Sequence, residues 1–206
     1  MTADEGAGAA KAAAPPRISS HRHAANAPCE DKLTVGDRGG DAFVGVWDGN
    51  GGAGVSEFVS RRALGCYFEL LDGAKTATAA KTAAAHAMAA VFPKLDAELV
   101  AHGMEKQNHA TLFCGSCAVA AHVEFAARRL TVGNLGDSRA VLGSFEGGAL
   151  VTAALTRDHT AGSATEQARL VALHGSVSRR RDCHFADTTS VFNRSFNRNG
   201  EGVSAK

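Results

Sequence analysis

The run Phe43-Val44-Gly45-Val46-Trp47-Asp48-Gly49-Asn50-Gly51-Gly52 delivers one carboxylate to the end of an apolar stretch and surrounds it with glycine. Glycines let a backbone approach an ion closely and open positive φ angles that other residues avoid. An aspartate in that setting can hold a hard divalent cation, with a neighbouring backbone carbonyl as a further oxygen ligand. The competing reading is a tight turn, since Asp-Gly and Asn-Gly are the commonest hairpin dipeptides. Taken alone, the run favours the turn. Further carboxylates bear on the choice. Glu30-Asp31 form an acidic pair upstream, which by itself reads as part of a solvated loop. Asp137, in Gly136-Asp137-Ser138-Arg139, is either a ligand or a turn residue bonded to its own backbone.

The elements that must position these groups follow from periodicity. Residues 42–47 read as a buried strand ending at Asp48. From Val55 to Leu71 apolar residues recur at 55, 58, 59, 63, 64, 67, 68 and 71, a helical spacing that starts beside the glycines. A second, alanine-rich helix is predicted over 74–100, broken or kinked at Pro93, with Met88, Val91, Phe92, Leu95 and Leu99 toward the core. Residues 118–125, 129–134 and 139–144 read as antiparallel strands. Ser163-Ala164-Thr165-Glu166 is a capping-box pattern and Gly175 a stop signal, which predicts a helix over 164–174.

Several segments, in order, resemble the type 2C, metal-dependent serine/threonine protein phosphatases. The glycine run is similar to that family's F-x-G-V-x-D-G-H-G-G. Cys29-Glu30-Asp31 resembles its M-E-D, and Gly115-Ser116-Cys117-Ala118-Val119 its G-S/T-T-A-V strand. The most extended match is Leu130 to Leu142, close to L-x-V-A-N-V-G-D-S-R-A-V-L. Leu155-Thr156-Arg157-Asp158-His159 resembles L-T-x-D-H, and Val191 to Phe196 weakly echoes A-V-S-R-S-F. The resemblance covers about residues 29 to 196 and implies an α+β fold: an antiparallel β-sandwich flanked by helices, incomplete at the C-terminus.

What the resemblance implies for chemistry is hydrolysis of phosphoserine and phosphothreonine by a metal-bridged hydroxide, with Mg2+ or Mn2+ as cofactor. Two metals would acidify a shared water and hold the phosphoryl oxygens. Asp48 would bridge them, Gly49 would offer its carbonyl, Glu30 and less directly Asp31 would hold one metal or its waters, and Asp137 would hold a further, weaker ion. Asp158-His159 would be structural. The chain departs from the pattern at three places. Asn50 stands where the family has the histidine assigned to protonating the leaving group, and an amide is no general acid near neutral pH. Asn26 stands where the family has a phosphate-binding arginine, leaving Arg22 or Arg17 as substitutes if the tail folds back. Two further family aspartates, one in an apolar-strand-D-G motif and one in D-N, have no counterpart after Asp187. The alternative is therefore a truncated or inactive pseudophosphatase that acts as a binding or regulatory protein.

Composition bounds the remaining choices. With 206 residues and 45% hydrophobic content, one domain is the expectation, over residues 28–196. Residues 1–27, rich in alanine, glycine and proline, read as a disordered tail, and 197–206 as a polar tail. A net charge of +1 argues against a nucleic-acid partner, and no apolar run reaches membrane-spanning length. Five cysteines, an odd number without a dense framework, suit a reducing compartment, so a cytoplasmic or nuclear monomer acting on a phosphorylated protein is expected. Cys114-x-x-Cys117 lacks good zinc partners beyond Cys183-His184 and reads as structural, with Cys117 buried in a strand. Arg179 to Arg181 read as a solvated loop. His86, His102, His109 and His122 read as surface or helix residues.

Overall fold

The computed structural model describes residues 17–25, 27–77, 80–105, 114–160, 162–174, 177–180, 195–196 and 202–205. The predicted tail over 1–27, His109, the Cys183-His184 pair and most of the Val191 to Phe196 segment lie wholly or largely outside them.

Four antiparallel strands form the main sheet in sequence order: β1 (Lys32–Arg38), β2 (Asp41–Asn50), β3 (Gly115–Glu124) and β4 (Arg129–Leu135). Two helices lie between β2 and β3, α1 (Gly54–Ala77) and α2 (Ala80–Glu105). Downstream, β5 (Val141–Glu146) and β6 (Ala149–Ala154) pair with each other, α3 (Ala164–His174) follows, and β7 (Val177–Arg180), β8 (Ser195–Phe196) and β9 (Gly202–Ala205) form a small sheet. The α+β class, with antiparallel sheets and helices on a sheet face, is as expected.

Alternation along β2 decides which side chains meet the helices. Phe43 and Trp47 point to the helical face and are fully buried. They pack with Val55, Val59, Tyr67 and Leu71 of α1 and Val91, Leu95 and Leu99 of α2. These helix positions recur at steps of four residues or a multiple of four, so each helix turns one apolar stripe to the sheet. Pro93 lies inside α2 and does not end it: of the expected break or kink, the break does not occur, and the helix continues to Glu105.

Among the polar residues buried in the described part of the chain, Thr34 and His122 lie against the aromatic core. Thr34 of β1 accepts from Trp47 Nε1 at 2.8 Å and donates its own hydroxyl to the Ser60 carbonyl at 2.7 Å, so three groups of β1, β2 and α1 satisfy one another. His122, predicted as a surface residue, is instead fully buried in β3. Its ring lies 5.1 Å from Tyr67 and 5.8 Å from Phe68, and Nε2 is 3.6 Å from the Asp41 carboxylate. It is in the core because it sits directly across the β2–β3 ladder from Phe43, and residues directly opposite in an antiparallel pair share one face.

The opposite face of the sheet carries Val44, Val46 and Asp48 from β2, and Leu33 and Val35 from β1. Leu33 and Val35 are each 45% exposed. It is on this open face, at one end of the ladder, that the acidic residues meet.

Candidate metal centre

Asp48, Gly49 and Asn50 are still strand residues, paired with Cys117, Ser116 and Gly115 of β3. The turn therefore begins later than the dipeptide pattern predicts, at Gly51 and Gly52, whose φ angles are 73° and 130°. It leads into α1 instead of closing a hairpin. This removes the tight-turn reading of the run: β2 is the inner strand between β1 and β3, its pairing with β1 runs up to Lys32–Trp47, and Asp48 itself is paired with Cys117 of β3.

Glu30 and Asp31 reach the site through the backbone. Gly49 turns its missing side chain toward Glu30, and a Cβ there would collide with the Glu30 carbonyl group. Only glycine lets the two strands' backbones approach so closely. From the other side, Ser56 in the first turn of α1, itself fully buried, bonds the Glu30 carbonyl through its hydroxyl. The segment before β1 is thus pinned between Gly49 and α1, and Asp31 arrives close enough to the Asp48 carboxyl to disfavour its ionisation.

Asp137 comes from the turn after β4. Gly136 adopts φ 99° and lies against the Cys117 side chain, where any Cβ would collide with the thiol. The 155–159 segment braces this turn. Arg139 makes a bidentate pair with Asp158 at 2.8 and 2.6 Å. The Gly136 N–H donates to His159 Nδ1 at 3.4 Å, and the His159 N–H returns a bond to the Gly136 carbonyl at 2.9 Å. Asn134 Nδ2 donates to the Gly136 and Arg157 carbonyls. Asp158 and His159 therefore serve the structural role expected of them. Of the predicted capping box only the N-cap half forms: the Glu166 N–H donates to Ser163 Oγ at 3.4 Å, while the Ser163 N–H donates to the Thr160 carbonyl and the Glu166 carboxylate turns to Arg169.

The result is a crowded acidic cluster. Burial, followed by the charges of Asp31 and Asp137, the Asp31 hydrogen bond and the charge of Glu30, raises the Asp48 carboxyl from its ordinary 3.8 to about 6. Three predicted residues (Asp31, Asp137 and Glu30) are thus felt at the carboxyl group of the fourth, Asp48. One ligand atom each from Asp48, Cys117 and Asp137 lies within 4.8 Å of the other two. That spacing and oxygen content fit a divalent cation, and such an ion would offset both the burial and the neighbouring negative charges that raise the Asp48 carboxyl. Asn50 follows on the same face, exposed. Arg17 and Arg22 are exposed on the N-terminal segment.

Cys117 was expected to be a buried packing thiol. It is only partly buried and stands directly across the ladder from Asp48, with its thiol donating to Asp137 Oδ1 at 3.3 Å. Burial, with the charges of Asp137 and Asp48 working against a backbone bond from Asp137, pushes this thiol up to about 12. Strand parity was the signal that could have found it, once Cys117 is placed opposite Asp48.

An α+β domain with a carboxylate cluster fit for a divalent cation at the end of its main sheet is the class that fold and site define. The chain belongs to the protein phosphatase 2C family, whose model matches residues 14–193. It is 32% identical over 145 residues to Protein phosphatase 2C homolog 2 of Saccharomyces cerevisiae, covering 70% of this chain and 28% of that protein. It is 32% identical over 136 residues to Probable protein phosphatase 2C 14 of Arabidopsis thaliana, covering 66% of this chain and 26% of that one. The chain therefore spans about a quarter of the length of these relatives. Among solved structures, the serine-threonine phosphatase 2C from Toxoplasma gondii superposes with a TM-score of 0.55 at 24% identity, over 74% of this chain and 52% of that one. A C. elegans sex determining protein superposes with a TM-score of 0.56 at 18% identity, over 76% and 37%. These two likenesses establish the fold.

Proposed function

We propose that this domain hydrolyses phosphoserine and phosphothreonine in proteins, using Mg2+ or Mn2+ held at Asp48. The observation that carries the reading is the convergence of Asp31, Asp137 and Glu30 on the Asp48 carboxyl, at the strand end where the family motif falls. Divalent ions bound there supply positive charge to the phosphoryl oxygens and acidify water near neutral pH. The chain's own residues do the rest. Asp48 would be an oxygen ligand and Gly49 would offer its carbonyl. Glu30 and Asp31 hold a metal or its waters from the β1 side, and Asp137 does so from the β4 turn. Gly49 and Ser56 fix the distance between the two acidic segments. Asn50 orients the leaving oxygen by donating a hydrogen bond, without transferring a proton.

The test is manganese-dependent hydrolysis of a phosphothreonine peptide by the 206-residue chain, with Asp48→Ala as control. Hydrolysis that needs manganese and disappears in Asp48→Ala is the expected result. A folded chain that binds manganese through Asp48 and turns over nothing overturns the hydrolytic reading in favour of a binding role.

A further inference from the structure

The reading above gives Cys117 no task, yet its placement is not that of a packing residue. Three separate elements bring their donors to one point: β2 brings Asp48, β3 brings Cys117 and the turn after β4 brings Asp137. Gly136 leaves open the space that the sulfur occupies. Cys114, the other half of the C-x-x-C spacing, faces away and donates to the Gly51 carbonyl at 3.1 Å, so the two thiols do not act as a pair.

We propose that Cys117 is itself a ligand at this centre, together with Asp48 and Asp137, and that it gives the site a preference for a thiophilic divalent ion of the zinc class over magnesium. The inference rests on the reading that Asp48 holds a metal. Tetrahedral zinc, with bonds of about 2.3 Å to sulfur and about 2.0–2.2 Å to oxygen, sets sulfur–oxygen separations of about 3.6 Å. Sγ and Asp137 Oδ1 stand at 3.3 Å, and none of the three donors is more than 4.8 Å from another. Side-chain rotations of an ångström or less therefore close the set, and water completes the fourth position. On binding, the S–H bond breaks, a metal–sulfur bond forms, and one proton leaves to solvent. Thiolate favours borderline and soft ions, whereas magnesium keeps to oxygen and to its own waters. With magnesium, the thiol stays protonated and keeps its hydrogen bond to Asp137.

Cobalt(II) is the probe, titrated into the full chain and followed both by calorimetry and by sulfur-to-cobalt charge-transfer absorption in the near ultraviolet. Wild type is expected to show the band, saturating with binding and displaced by zinc. Cys117→Ser and Cys117→Thr should lose the band and bind cobalt at least about tenfold more weakly, with magnesium affinity unchanged; Cys29→Ser should keep the band. Circular dichroism melts confirm that each variant folds. Asp48-dependent cobalt binding without the band, or a band that survives Cys117→Ser, overturns thiol ligation and leaves the Asp48 reading standing. No cobalt binding by calorimetry overturns both.

Discussion

In the metal-free chain, Asp48→Asn is expected to raise stability, and to do so only above acidic pH. The Asp48 carboxyl titrates near its ordinary 3.8 when unfolded and at about 6 when folded. Between those values the folded state holds a proton that the unfolded state has released. Stability therefore falls as pH rises through this window, and the loss is complete above about pH 6. At about 1.36 kcal/mol for each pH step, the full penalty would be about 3 kcal/mol. Asp48 is only partly withdrawn from solvent, so screening reduces this to about 1–2 kcal/mol. Asparagine keeps the shape and has an amide able to donate to a neighbouring carboxylate, but it carries no charge. The assay is urea denaturation of both proteins with chelator present, at pH 3.5 and pH 8. The variant should match wild type at the lower pH and exceed it by about 1–2 kcal/mol at the higher. Manganese at a hundred times its dissociation constant should then add about 2.7 kcal/mol to wild type and little to the variant. A variant less stable than wild type at pH 8, or a gain of equal size at both pH values, would refute the reasoning.

Three further outcomes are expected. Gly49→Ala should destabilise the fold by about 1–3 kcal/mol in urea melts, because its methyl group meets the Glu30 backbone and not a flexible side-chain tip; it should also weaken manganese binding by moving Glu30-Asp31 away from Asp48. Thr34→Val should cost about 2 kcal/mol or more, read from the shift in urea midpoint, since it strands the buried Trp47 N–H and the Ser60 carbonyl together. Asn50→His should speed hydrolysis of a phosphothreonine peptide by about a hundredfold while leaving an aryl phosphate, whose leaving group needs no proton, within a few-fold; equal acceleration of both substrates would show that residue 50 does not serve the leaving oxygen.

Much of the fold was legible where polarity and periodicity agree. The stripe on α1 from Val55 to Leu71 and the Ser163 cap of α3 both form as their patterns predict. β1 gave no such signal because its pattern is inverted. Thr34, the polar residue, is the buried one, held by Trp47 and Ser60, while Leu33 and Val35 face outward. His122 misleads for the same reason: a titratable residue sits among Phe43, Tyr67 and Phe68. At the site, Asp48 and Asp137 could be singled out because glycines flank them. The approach of Asp31 could not, since it depends on a backbone contact between Gly49 and Glu30 that is distant in sequence.

Core and site are built by the same ladder, and this ties one to the other. Trp47 lies opposite Ala118 and points to the helices; the next pair, Asp48 and Cys117, points to the open face. In a strand, one residue's slip exchanges the two faces. Moving β2 by one position against β3 would therefore expose Trp47 and press Asp48 into an apolar core, where an ionised carboxylate costs far more than it does beside water. The aromatic core fixes the register, and the register delivers the carboxylates. Because the Trp47–Thr34–Ser60 chain locks β1, β2 and α1 together, it also sets where Glu30 and Asp31, immediately before β1, can stand. The acidic cluster disfavours folding in the absence of metal, and the packed face of the same strands offsets it.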